Sequence, residues 1–322
     1  MRVLFFMVFF LVIGCKETNK KQPIKFTSSG NINNLLVVVD NELWSGRVGD
    51  AIRDYIGGEI YGLPQVEPHF DLRQVPDEVF SDFVRRNRIV LRVRLAEDNN
   101  VKYYTDPYAT PQKMAVVSGR SREELIQQIE QNASTIISTI KATEFIERQR
   151  RINKSLFNAN PIEEILKITV RFPSAYRIAK SDENFFWIRR DTKTGSLNLL
   201  LYSLPFQKFD STASFSEFVI SARDSIAKQY IPGPIEGNYM QTETAYTPFF
   251  VETNLSGQTA LETRSLWNVE GAFMSGPFVN YCFIEEANQR LFVAEGFVYS
   301  PSQRKRDYMF ELETIIRSIS FK

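Results

Sequence analysis

The sequence predicts an α+β, or mixed α/β, architecture of two sheet-plus-helix units, the second mainly antiparallel. Three patterns carry this. A five-residue apolar run, 35–39, has strand length and alternates onward with helical segments. A stripe of Leu125, Ile126, Ile129, Ala133, Ile136, Ile137 and Ile140 has helical period. Beyond residue 245, four extended segments follow one another with short polar turns between them.

In order, residues 35–39 read as a strand buried on both faces. Ser45 then reads as the cap of a helix carrying Val48, Ile52, Tyr55 and Ile56, stopped by Gly57 and Gly58. Residues 69–75 read as a strand. Pro76 and Asp77 open a short helix with Val79, Phe80, Phe83 and Val84. In 89–95, Ile89, Leu91, Val93 and Leu95 take one face, and Val90, Arg92 and Arg94 the other. Residues 102–108 are extended, and 113–118 form a further strand. Ser121 and Glu124 match a capping box for a helix reaching about Arg151.

After Asn158-Ala159-Asn160-Pro161, segments 168–176, 185–190 and 196–204 read as strands, the last two a hairpin through 191–195. Ser214 and Glu217 match another capping box, and that helix ends before Pro232-Gly233-Pro234. Extended segments 245–253, 259–267, 273–284 and 290–299 follow. Ser300-Pro301 opens a last helix with Tyr308, Met309, Leu312, Ile315, Ile316 and Ile319 on one face.

The amino terminus carries a different message. Met1 and Arg2 precede eleven apolar residues, Val3 to Ile13, and then Gly14, Cys15 and a polar run. One positive charge, a short apolar core and a small residue before a cut site make a secretory signal. A spanning helix needs about 20 apolar residues, so the run is too short for a membrane anchor. The expected division is a signal peptide at 1–14, a lipidated tether at 15–30, an α/β domain at 31–155 and an α+β antiparallel-sheet domain at 156–322. Roughly 300 residues would remain after cleavage, and single cores stop growing near ~250–300 residues.

Composition narrows the chemistry. Thirty-nine Lys and Arg against 38 Asp and Glu leave an excess of one positive charge, too little to draw nucleic acid. His69 is the one histidine, so zinc sites built on several histidines are excluded and no metal site is expected. Cys282 lies in an apolar strand and is expected to be a buried, inert thiol. No glycine-rich phosphate loop occurs, since Ser45-Gly46-Arg47-Val48-Gly49 lacks the Lys-Ser/Thr pair. No catalytic residue and no cofactor can be named.

Val12-Ile13-Gly14-Cys15 resembles the lipobox of bacterial lipoproteins. The resemblance implies palmitate-type acylation at Cys15, anchoring in the cell envelope and the bilayer as a partner. The outer membrane is the expected site, with its periplasmic and surface faces both open. Three further stretches, 33–46, 106–112 and 291–301, together resemble an uncharacterised Bacteroidota lipoprotein family, domain of unknown function 4837, over nearly all of the mature chain. The family brings no activity. Phe172-Pro173-Ser174-Ala175-Tyr176 and the segment 315–321 resemble the PsbP/Mog1-type sandwich, which implies a binding or assembly module.

Candidate ligand-binding residues are Asp40, Asn41 and Trp44, just past a buried strand where open α/β sheets hold ligands. Arg92 and Arg94 share one strand face near Arg85, Arg86 and Arg88 and suit an anion, or else a solvated, ion-paired surface. Glu262 and Glu295 are candidates for a carboxylate pair on neighbouring strands. The expected function is a lipid-anchored, non-catalytic binding or assembly component with a broad aromatic patch and a possible envelope protein partner. The alternative is an envelope hydrolase with Asp/Glu acid-base pairs in a deep pocket.

Overall fold

A computed structural model describes residues 26–209 and 211–322. The signal sequence, Cys15 and most of the tether lie outside the described residues. Folded chain begins earlier than the tether predicts: Phe26–Thr27 pairs in parallel with Ala109–Thr110.

The first sheet has the order β2-β1-β3-β5-β4. Its strands are β1 (Asn34–Val38), β2 (Asp71–Val75), β3 (Ile89–Leu95), β4 (Asn100–Thr105) and β5 (Lys113–Gly119). Four are parallel, and β4 joins the edge antiparallel. Leu35 and Val37 face one core and Leu36 and Val38 another, as a strand covered on both sides requires. The long helix α1 (Arg122–Ile152) covers the first face with Leu125, Ile129, Ala133, Ile136 and Ile140. Phe80, packed with Val84 and Tyr108, covers the second.

The second sheet has eight strands, β6 (Arg177–Asp182), β7 (Phe185–Asp191), β8 (Ser196–Pro205), β9 (Met240–Thr242), β10 (Phe249–Leu255), β11 (Gln258–Val269), β12 (Ala272–Glu285) and β13 (Arg290–Tyr299). Its order is β9-β11-β12-β13-β8-β7-β6, with β10 also on β11, and every pairing is antiparallel. On one face lie α2 (Asn160–Leu166) and α4 (Arg306–Ile316), on the other α3 (Thr212–Tyr230). The α+β class is therefore as the sequence predicts.

Several local expectations are corrected. Ser45 closes a short helix, Asn41–Trp44, and the next helical stretch, Arg47–Ala51 with a wider turn to Ile56, starts at Gly46 without a side-chain cap. Residues 77–86 form two separate 3₁₀ turns instead of one helix. Ser121 caps α1 by accepting the Glu124 N–H, but the Glu124 carboxylate takes the Arg120 N–H, so the capping box is only half formed. Ser211, three residues before the expected cap, opens α3, with Ser214 at its third position. Most of 168–176 is irregular: the strand covers only Ile168–Thr169, and α2 precedes it. The last helix starts at Arg306, beyond Ser300-Pro301.

Candidate functional site

The C-terminal third of α1 runs past the first sheet and meets α4 of the second. The stripe Ile129, Ala133, Ile136, Ile140 continues at the same helical spacing into Glu144 and Glu147, which are also buried. A buried carboxylate needs a partner, and Glu144 has three donors: the Arg88 guanidinium Nε at 2.5 Å and Nη2 at 3.2 Å, and the Asn33 backbone N–H at 2.6 Å. Arg88, one of the arginines near the face read as an anion site or a solvated, ion-paired surface, is 2% exposed. Phe145 stacks on Phe310 of α4 with ring centroids 4.4 Å apart, and Arg148 pairs with Glu311.

Beside this junction lies a cavity of about 480 Å³, within the range of about 300–1,000 Å³ usual for small-molecule sites. Ile137, Lys141, Ala142 and Phe145 of α1 form one wall, and Met309 and Phe310 of α4 the next. Phe249 and Val251 on β10 and the loop Ile60 to Leu63 complete the apolar lining. Tyr61 stacks on Phe249 at 4.8 Å. Gly62 lets that loop approach: its φ is +83°, and a Cβ there would stand 2.8 Å from the Arg264 Cβ. Its N–H donates to the Tyr246 hydroxyl at 3.1 Å.

The charged groups of the cavity are almost all mutually committed. Arg264 donates to Glu262 at 2.6 Å and to Glu313 at 2.8 Å, and Arg317 donates to Glu313 at 2.9 Å. Burial alone would raise the Glu313 pKa, but the charges of Arg264 and Arg317 hold it at about 2. Arg306 donates to Asp71 at 2.6 Å and to Asp307 at 2.9 Å. Lys141 differs. Its Nζ donates to the Asn33 side-chain oxygen at 2.8 Å and to the His69 carbonyl at 2.9 Å, both uncharged acceptors. The ammonium sits over the rings of Phe70 and Phe310, at 4.7 and 4.9 Å. Burial, and then the like charge of Arg306, lower its pKa to about 7. Burial, followed by the charges of Lys141, Arg264 and Arg306, lowers that of His69 to about 4.

The sequence-derived candidates fall elsewhere. Asp40 and Asn41 are exposed, and Asn41 accepts from Gln74 at 2.9 Å. Trp44 packs on the core beneath α1, with Arg53 over its ring at 4.7 Å. Arg92 lies on the opposite face, held by Asp77 at 2.9 and 2.6 Å, and Arg94 is exposed. The structure does not bring these five together into one pocket. Glu262 and Glu295 are not a pair either. Their strands are separated by β12, with Glu262 in register with Tyr281 and Glu295 with Asn280. Adjacent positions on β12 point to opposite faces, so the sheet stands between the two carboxylates. Glu295 instead meets Arg223 of α3. The aromatic surface expected to be broad and shallow is a cavity. Among the described residues no acidic, His and Cys cluster suited to a metal occurs. No helix among them is long and apolar enough to cross a membrane.

Fold and cavity together define an α+β protein built on two large sheets, with an aromatic cavity where the long helix of one meets the last helix of the other. The chain belongs to the family described as Domain of unknown function (DUF4837), whose model matches residues 155–318. A second model, Domain of unknown function (DUF8532), matches residues 28–153. The stretches 33–46 and 106–112 therefore fall within the second family, and only 291–301 within the first. Solved structures similar to parts of the chain include the Saccharomyces cerevisiae Ran-binding protein Mog1p, at 6% identity over 48% of this chain and 90% of that one, with a TM-score of 0.34. Another is LpqN of Mycobacterium tuberculosis, described as involved in cell envelope biogenesis, at 13% identity over 48% and 83%, with a TM-score of 0.29. A third is a Bacteroides thetaiotaomicron protein at 10% identity over 48% and 45%, with a TM-score of 0.27. Comparison with curated proteins finds no match.

Proposed function

We propose that this protein is a lipid-anchored envelope component that binds a small, largely apolar molecule in the cavity between its two sheets and performs no chemistry on it. The cavity carries the reading: an aromatic and aliphatic lining with its carboxylates, Glu262 and Glu313, both clamped by Arg264. A hydrolase needs one carboxyl held protonated and another free to act as base. Glu313 is held ionised, near 2. Anchoring rests on the Val12-Ile13-Gly14-Cys15 motif. Acylation by more than one chain gives firm membrane attachment.

Binding of N-phenyl-1-naphthylamine, a neutral fluorescent probe, tests the cavity. The full chain is expected to enhance its emission, and Ala142→Trp, which fills the α1 wall, to abolish the effect. Equal emission from both proteins would place the probe elsewhere and end this reading. For the anchor, the mass of the membrane-extracted protein is compared with that of Cys15→Ala. Acyl mass on the former and a soluble variant are expected. An unacylated, freely secreted chain would overturn it.

A further inference from the structure

We infer that the cavity's ligand is a single-chain amphiphile with a monoanionic head, its head held by Lys141 and its chain lying against Phe145, Met309 and Phe310. The inference rests on the proposed binding function and names its ligand class.

The head-group preference follows from the balance of committed and uncommitted charge. Three carboxylates lie near enough to act on Lys141: Glu313, Asp307 and Glu144. Each is bonded elsewhere. Glu313 holds Arg264 and Arg317. Asp307 holds Arg306 and the Asn33 side-chain amide. Glu144 holds Arg88 and the Asn33 backbone. Lys141 spends two of its three N–H donors on neutral oxygens and has one left. An incoming anion therefore meets a cation with a spare donor and no carboxylate to displace. An incoming cation would meet carboxylates already neutralised, and Lys141 and Arg306 besides. Beyond the head, the wall of α1 and α4 is mainly apolar, with Ile137, Ala142, Phe145, Met309 and Phe310 beside Ser138 and the mutually paired Glu313 and Arg317. That is the profile of an acyl or alkyl chain, which gains by leaving water for such a lining.

The test reads Lys141 directly. The full chain in dodecyl maltoside micelles is treated with limiting acetic anhydride, and acetylation of Lys141 is measured by peptide mass mapping against the exposed Lys193. Decanoate at roughly ten times its Kd is expected to slow acetylation of Lys141 about tenfold and leave Lys193 unchanged. Decanol and decylamine are expected not to protect. A ten-carbon lysophosphatidylglycerol runs as a separate arm. Protection by decanoate alone assigns a carboxylate head, and stronger protection by the lysolipid a phosphodiester. In binding assays on the folded variants, Lys141→Arg should retain decanoate and Lys141→Met lose it, while both still bind N-phenyl-1-naphthylamine. Equal protection by decanol, or decanoate binding undiminished in Lys141→Met, would overturn the head-group assignment while leaving the cavity as an apolar site. Failure of the neutral probe as well would remove the binding function itself.

Discussion

Glu67 closes the N-terminus of α4 across the junction of the two halves by accepting the backbone N–H of Arg306 at 3.0 Å. Its other carboxylate oxygen accepts the Lys305 N–H at 2.7 Å. The first N–H groups of a helix have no partner within it, and a carboxylate there also meets the positive end of the helix dipole. Glu67 is 2% exposed, so water cannot replace it. Glu67→Ala should lower stability by about 2–3 kcal/mol, because it leaves two buried donors unsatisfied. Glu67→Gln, which keeps one acceptor, should lose about half as much. Urea midpoints at constant m-value check both, and hydrogen exchange should show the loss concentrated in the first turn of α4.

Arg223 and Glu295 are a second test of buried charge. Their side chains are 1% and 0% exposed, with Arg223 Nη2 3.1 Å from Glu295. Asn280 donates to the same carboxylate at 3.0 Å, and the guanidinium lies 4.0 Å over the Phe278 ring. Removing one member leaves the other charge stranded, at a cost of about 3–5 kcal/mol. Arg223→Met should show that loss, and Arg223→Met with Glu295→Met should recover most of it. A double variant no better than the single one would show that Arg223 acts by filling space under α3.

The elements were legible in the sequence wherever one face of a helix or strand is continuously apolar. Strands β3, β8 and β13 and the first two-thirds of α1 are of this kind, because burial alone dictates their residues. The candidate site was not, because its polar side chains look solvated when read singly. Glu144 and Glu147 continue the buried face of α1, and Arg88 stands in a run of arginines, yet all three are buried. The available signal was the register itself: positions 140, 144 and 147 extend the stripe at spacings of four and three, so an acid there belongs to the core side. The pairing of Lys141 with Asn33 spans 108 positions, and no local pattern encodes it. Arg92 and Trp44 lie apart for a related reason: sequence gives the alternation of a strand face, but which side of the sheet that face covers is set by long-range packing, with Trp44 beneath α1 and Arg92 paired to Asp77 on the other side.

Stability should depend on pH through His69 and Lys141. Burial and neighbouring cations lower the His69 pKa from 6.5 to about 4. Between those values the unfolded chain binds a proton that the folded chain refuses, so stability falls as pH drops from 6.5 to 4. Lys141 shifts from 10.5 to about 7. In that window the unfolded chain again holds the extra proton, so stability rises as pH climbs from 7 toward 10.5. His69→Gln should flatten the acid window and leave the alkaline one, whereas Lys141→Met should flatten the alkaline window and also narrow the acid one, because the Lys141 charge helps to hold the His69 pKa down. Urea midpoints from pH 4 to 10, taken as differences from the wild type, separate the two.

Cys282 should be silent in the native protein. It is 1% exposed on β12, in register with Leu261 and Val293, inside the core beneath α3. Burial pushes its pKa up to about 12. The thiolate is the reactive form, and at pH 8 a pKa of 12 leaves roughly one thiol in ten thousand ionised. Access is blocked as well, since β11 and β13 flank β12 on both edges. Dithionitrobenzoate should therefore label Cys282 only at the rate of unfolding, and rising urea should accelerate labelling and loss of tertiary signal together. Labelling within minutes in native buffer would mean that the face under α3 opens without global unfolding. Cys282→Ser distinguishes packing from reactivity: a hydroxyl set among Leu261, Phe278 and Val293 should cost about 1–3 kcal/mol, while ligand binding on the opposite face of the sheet stays unchanged.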